Sequence, residues 1–151
     1  GPDSGPCFNR DLSQNQRNLR NNRGDNVMAA LVIDDSKAMR AMLRRILNSA
    51  GIEEVFEAGD GQEALDCLER IDTITLALVD WDMPGMDGYQ FIRTVRANRA
   101  YVDLRLMLVT AESEVDQITE ALAAGADEYI MKPFTRDAVL DKLKLLGITP
   151  N

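Results

Sequence analysis

Residues 77–88 read ALVDWDMPGMDG. Three apolar residues run into Asp80, a second acid follows at Asp82, and the chain then turns through Pro84, Gly85 and Gly88. The continuous apolar run over Thr75–Val79 is that of a strand covered on both faces, the kind found in parallel sheets flanked by helices. Asp80 at its end is either a turn residue ahead of Pro84 or a carboxylate set out for chemistry.

Working outward, the same alternation repeats. Ala29–Ile33 is a short apolar run that ends at Asp34. Ser36–Ala50 carries Met39, Met42, Leu43, Ile46, Leu47 and Ala50 as a helical stripe, with Gly51 as the stop. Glu54–Ala58 reads as a weak strand. Asp60–Ile71 reads as a helix, with Asp60 and Glu63 spaced as a capping box. Gly88–Asn98 is helical through Phe91, Ile92 and Val95. Leu104–Val109 is a strand, Ser113–Ala124 a helix stopped by Gly125, Glu128–Met131 a strand and Thr135–Leu146 a helix stopped by Gly147. Strands alternating with helices make a mainly parallel sheet with helices on both faces. Right-handed crossovers and this size point to an α/β fold of flavodoxin-like type, a (βα)5 three-layer sandwich with strand order 2-1-3-4-5.

The 151-residue chain is 45% apolar and 28% charged, an ordinary balance for a globular domain. No apolar run approaches the roughly 20 residues of a membrane helix, and no secretory signal is visible. There is no His, which removes the commonest general base and metal ligand. The two cysteines, Cys7 and Cys67, make no disulfide framework, so a reducing cytoplasm is expected. Cys67 reads as a small buried apolar residue rather than a redox switch.

The net charge of −8 is unevenly placed. Residues 1–27 hold Arg10, Arg17, Arg20 and Arg23 against Asp3, Asp11 and Asp25, leaving the remainder at −9. So acidic a globule repels nucleic acid and suits cations and basic protein surfaces. The first 27 residues carry six Asn and two Gln and have little to bury. They are expected to be a leader, flexible or left by expression, since Gly1-Pro2 resembles a protease scar and Met28 suits a natural start. The domain is placed at 28–147, with 148–151 as a tail.

The polar residues collect at the strands' carboxyl ends: Asp34-Asp35, Asp80, Thr110, and Lys132 after Met131. In a parallel sheet these ends share one edge, where ligands bind at the reversal of strand order. Singly each has a plain reading. Asp34-Asp35 would cap a helix, Thr110 would satisfy a backbone group and Lys132 would be an exposed loop residue. Together they bring three acids, a hydroxyl and an ammonium to one edge. Clustered carboxylates repel and need a cation. A donor set of oxygens alone, without His or Cys, selects Mg²⁺ or Mn²⁺ over zinc. Beside such an ion Lys132 and Thr110 suit a bound anion, and a carboxylate can attack phosphorus to form an acyl phosphate. Asp80, at the central strand, is the expected nucleophile.

The segments LVIDDS, LALVDWDMPGMDG, LMLVTAE and YIMKPF resemble the receiver domains of two-component response regulators over about residues 28–147, and especially the small stand-alone chemotaxis-regulator (CheY-like) type. The resemblance implies that Asp80 accepts a phosphoryl group from the phospho-His of a histidine kinase or histidine phosphotransfer protein. It implies that Asp35 and Asp80 bind Mg²⁺ directly, with Asp34 acting through water and the Asp82 carbonyl as a further ligand. Lys132 would pair with the phosphoryl oxygens. Thr110 and Tyr129 would act as the switch, Asp82 and Glu112 would tune the phosphate's lifetime, and Lys132–Pro133 would be cis. The effector would bind the face made by helix 4, strand 5 and helix 5, on a cytoplasmic monomer able to dimerise when phosphorylated. No enzyme activity is implied beyond self-phosphorylation and self-dephosphorylation.

Two alternatives remain open from sequence: a phosphate sink or transfer intermediate without an effector, and the receiver piece of a longer regulator. An aspartyl-phosphate phosphatase ranks behind both, because Asp80 and Asp82 match only the acid pair of such enzymes. Trp81 reads as a pocket-rim residue, Met39 and Met42 as core, and Tyr129 either as the switch or as plain packing.

Overall fold

The computed structural model describes residues 28–111 and 115–148. The expectations for the 1–27 leader, Glu112, the start of the fourth helix at Ser113 and the end of the tail lie outside these residues.

Five parallel strands stand in the order β2-β1-β3-β4-β5. They are β1 (Ala29–Ile33), β2 (Glu54–Ala58), β3 (Ile74–Asp80), β4 (Arg105–Ala111) and β5 (Glu128–Lys132). The helices are α1 (Lys37–Ser49), α2 (Gly61–Arg70), α3 (Gly88–Arg96), α4 (Val115–Ala124) and α5 (Arg136–Leu145), with a 3₁₀ turn at Arg99–Tyr101 before β4. The expected fold and strand order are thus observed.

Period-2 alternation divides the apolar strands between two cores. Leu31, Ile33, Ala77, Val79, Leu106 and Leu108 face Ala64, Leu68, Phe91, Ile92, Ile118 and Ala121 from α2, α3 and α4. Val32, Leu76, Leu78, Met107 and Val109 face Leu43, Leu47, Val139 and Leu143 from α1 and α5. Register levels the site: Ile33 pairs with Val79, so Asp34 and Asp80 follow side by side, and Thr110 pairs with Met131 one residue ahead of Lys132.

The local stops follow sequence chemistry with two corrections. Ser36, and neither Asp34 nor Asp35, caps α1, its hydroxyl accepting from Met39 N at 3.1 Å. Asp60 caps α2 by accepting from Glu63 N at 2.8 Å, but Glu63 reaches back to Gly59 N rather than Asp60 N. The reciprocal capping box is instead at α3, between Asp87 and Gln90. In the first helix Met39 packs against the core, but Met42 is 42% exposed, so the apolar stripe is narrower than the sequence suggested. Cys67 is buried in the core and disulfide-bonded. It is not a free thiol, and the cysteine argument for a reducing compartment loses its footing. Among the described residues no helix is long and apolar enough to cross a membrane.

Arg96 joins the far edge of the sheet. Its guanidinium donates to the carbonyls of Gly125 (2.9 Å), Tyr101 (2.9 Å) and Leu104 (2.7 Å) and to Asp127 Oδ2 (2.8 Å). Asp127 Oδ2 also accepts from Leu106 N at 2.8 Å. One side chain thereby ties the end of α3, the 3₁₀ turn and the α4–β5 loop together. Charge-assisted hydrogen bonds to half-buried acceptors exceed ordinary surface pairs. Arg96→Met is expected to lower unfolding stability by about 2–4 kcal/mol. Urea denaturation checks this: the midpoint should fall at an unchanged slope.

Candidate functional site

At the carboxyl edge β1, β3 and β5 deliver Asp34, Asp80 and Lys132 into contact. The Lys132 ammonium donates to Asp80 Oδ1 at 3.0 Å and lies 3.8 Å from Asp34 Oδ2. Asp34 and Asp80 are buried (2% and 6% exposed), whereas Asp35 is exposed. Each of the three acids offers an oxygen within 4.8 Å of the others. Asp34 Oδ1 accepts from Ser36 N at 2.8 Å, which fixes the carboxylate, while Oδ2 is buried with no hydrogen-bond partner among the described residues. Buried polar atoms are rarely left so. An unpartnered carboxylate oxygen beside two further acids fits a hard divalent cation with oxygen ligands.

Burial pushes the Asp80 carboxyl up to about 6, opposed by the Lys132 hydrogen bond and reinforced by the charges of Asp34 and Asp82. Burial also raises Asp34, against the Ser36 N–H, while Lys132 lowers it and the neighbouring Asp35 raises it. The site therefore stores unfavourable charge that one ammonium only partly offsets.

The approach to Asp80 is shaped by its own turn. A Cβ on Gly88 would stand 2.7 Å from the Asp80 carbonyl oxygen and 2.9 Å from Trp81 Cα, so only glycine lets α3 begin this close to β3. Gly88 N donates to the Trp81 carbonyl at 3.0 Å. Trp81 is not at the rim: it is 9% exposed, belongs to the core beside Met83, and its ring lies 5.9 Å from that of Tyr89. The Trp81 backbone N–H donates to Val109 O at 3.1 Å.

The other expected residues take distinct places. Thr110 is buried at the end of β4, and its hydroxyl meets Gln117 Oε1 of α4 at 3.4 Å. Asp82 is exposed in the turn after β3. The Lys132–Pro133 bond is cis. Tyr129 is half-buried on β5, against the core on the α2–α4 side. Sequence reasoning missed Gln117, Arg40 and Lys142. Arg40 donates to the Asp34 carbonyl at 2.6 Å and to Glu57 Oε1 at 2.9 Å, and Arg44 takes the other Glu57 oxygen at 2.8 Å. The i, i+4 spacing of Arg40 and Arg44 was the available signal; their shared target on β2 was not.

A family model described as the response regulator receiver domain matches residues 30–144. A chemotaxis protein CheY homolog of Campylobacter jejuni is 38% identical over 117 residues, covering 78% of this chain and 90% of the relative. The chemotaxis protein CheY of Pseudomonas aeruginosa is 38% identical over 117 residues, covering 78% and 94%. The solved structure of Vibrio cholerae chemotaxis protein CheY4 superposes with a TM-score of 0.73 at 31% identity, covering 80% of this chain and 98% of that one.

The raised Asp80 carboxyl has a consequence for stability. Its pKa is about 6 when folded against 3.8 ordinarily, so the folded state holds the proton more tightly. The stability this contributes is complete below 3.8 and is lost as pH rises through about 6. Asp80→Asn keeps an acceptor for Lys132 and removes the charge. In metal-free buffer it should be more stable than the parent by about 1–2 kcal/mol at pH 7, after discounting for solvent screening. The gain should shrink toward zero at pH 4, as measured by urea unfolding at both values.

Proposed function

The chain belongs to the response regulator receiver family, and on that premise we propose that Asp80 is the phosphoacceptor of a two-component pathway. The observation that carries this is the buried Asp80 carboxylate held 3.0 Å from the Lys132 ammonium with Asp34 and Asp35 beside it. At pH 7 a carboxyl with a pKa near 6 is mostly ionised yet more basic than an ordinary one, which suits a nucleophile.

In this reading an Asp80 oxygen attacks the phosphorus of a phospho-His on a histidine kinase or histidine phosphotransfer protein. The P–O bond forms as the P–N bond breaks, and the imidazole departs with the electron pair and takes a proton. Lys132 would stabilise the transferring phosphoryl oxygens by charge, and the Thr110 hydroxyl, on the neighbouring strand β4, would donate to them. Asp34, Asp35, Asp80 and the Asp82 carbonyl are the residues that would hold Mg²⁺ or Mn²⁺. When bound, such an ion neutralises charge between carboxylates and phosphoryl oxygens. Water attacking the same phosphorus returns the carboxylate and inorganic phosphate, at a rate that Asp82 and Glu112 would tune from the rim.

Phosphorylation would bias two packings of Thr110 and Tyr129 and so alter the α4-β5-α5 face, where an effector protein would bind. We take 28–147 as the receiver unit, acting as a monomer or pairing when phosphorylated. We place it in the cytoplasm, where kinases have their ATP. The acidic surface supports protein partners rather than nucleic acid.

Labelling with acetyl phosphate or a cognate kinase tests the assignment. The parent should label with Mg²⁺ and not with EDTA, Asp80→Asn should not label, and Lys132→Ala should label about 100-fold more slowly. Full labelling of Asp80→Asn would move the acceptor to Asp34 or Asp35. Labelling without any effector binding would favour a phosphate sink.

A further inference from the structure

Beside the phosphoryl site, one side chain on α5 closes a loop that the chemistry above does not use. Lys142 Nζ stands 4.0 Å from the centroid of the Tyr129 ring. The same ammonium donates to Glu128 Oε1 at 2.8 Å. That oxygen in turn accepts from Tyr129 N at 3.0 Å. One carboxylate oxygen, one ammonium and one aromatic face thus join residues 128 and 129 of β5 to the last turns of α5. The pair is shielded, with side chains 23% and 19% exposed.

An exposed Lys–Glu pair contributes little. Here the ammonium satisfies two partners at once, and the ring beneath it belongs to the residue on which the proposed switch depends. A cation over a ring face is attracted only while the ring stays there. The interaction is therefore specific to one placement of Tyr129. Thr110 in this structure is likewise engaged away from the acids, with its hydroxyl on Gln117 of α4. Both moving parts of the switch are held by neighbouring helices, Thr110 by α4 and Tyr129 by α5.

We propose that Lys142 is a positioning residue that latches Tyr129 in the resting packing, so that phosphorylation of Asp80 has to break the Lys142–Tyr129 contact before the α4-β5-α5 face changes. This rests on the reading that the state of Asp80 is transmitted through Tyr129. A ligand shifts an equilibrium only by its differential affinity for the two states. The latch therefore lowers the apparent affinity of any phosphoryl mimic by the factor with which it favours the resting state. A Lys at this position raises the threshold of the switch without touching the phosphoryl group.

The full chain with Mg²⁺ is titrated with beryllofluoride as the phosphoryl mimic, by calorimetry and by NMR of the Tyr129 ring. In the parent the ring signal should move on saturation. In Lys142→Met, which keeps the aliphatic stem and removes the charge, the ring signal of the free protein should already lie part-way to the bound position. Its apparent beryllofluoride affinity should rise about 3- to 10-fold. Lys142→Arg should restore parental behaviour, and Glu128→Gln should shift both readouts in the same direction by less. If the parental ring responds but Lys142→Met leaves ring and affinity at parental values, the latch is refuted and transmission through Tyr129 stands. If beryllofluoride binds and the parental ring does not move, transmission fails and the latch falls with it.

Discussion

Two carboxylates that belong in water, Asp34 and Asp80, are buried side by side at the edge of the sheet, and one ammonium from a third strand lies against both. Much of the architecture follows from holding that arrangement. Burial alone favours the protonated acids, and the like charges reinforce it. Lys132 offsets part of the cost only because β4 carries β5 into register, which places Lys132 two strands from Asp80 yet in contact with it. The strand order is therefore an electrostatic requirement as much as a topological habit. A connection that put β5 beside β2 would leave two buried charges without their counter-ion.

The same edge is reinforced from the side away from the charges. Arg40 holds the Asp34 carbonyl while Glu57 holds Arg40, so the turn after β1 is braced against β2 through α1. Gly88 lets α3 start against the Asp80 carbonyl, which sets the height of the 80–88 turn. Both supports use backbone atoms of the acidic residues. Neither support consumes a carboxylate oxygen, so the main chain that aims Asp34 and Asp80 is fixed without occupying the groups that face the site.

The strand ends were readable from sequence because a parallel sheet buried on both faces writes continuous apolar runs, and the polar residue that ends each run stands out. Asp34, Asp80, Thr110 and Lys132 could be gathered that way before any coordinates. What escaped were features decided by partners distant in sequence. Trp81 is aromatic, polar-tipped and next to an acid, all of which suggest a rim; its burial against Tyr89 and Met83 depends on how the turn is pulled in by Gly88. Met42 fits the helical stripe yet stays 42% exposed, outside the core that Leu43, Ile46 and Leu47 of the same helix enter. Arg96 looks like one more surface cation at a helix end, and only the meeting of Gly125, Tyr101, Leu104 and Asp127 around it makes it a junction.

A site strained by charge is also a site that can signal. Lys132 already pairs with Asp80; in the proposed reading, a phosphoryl group on Asp80 would offer that ammonium another anionic partner. In that reading the change would be felt as displacement of β5, whose ends are pinned differently. At its end Lys132 is tied to the acids; four and three residues earlier, Glu128 and Tyr129 are tied to α5 through Lys142. If the Lys142 latch holds, a short strand tied at both ends by different charges would settle in one of two packings, because packed interiors choose between discrete arrangements rather than deform continuously. Coupling over this distance then needs no long chain of contacts. It needs only that the tie at one end of β5 be made at the expense of the tie at the other.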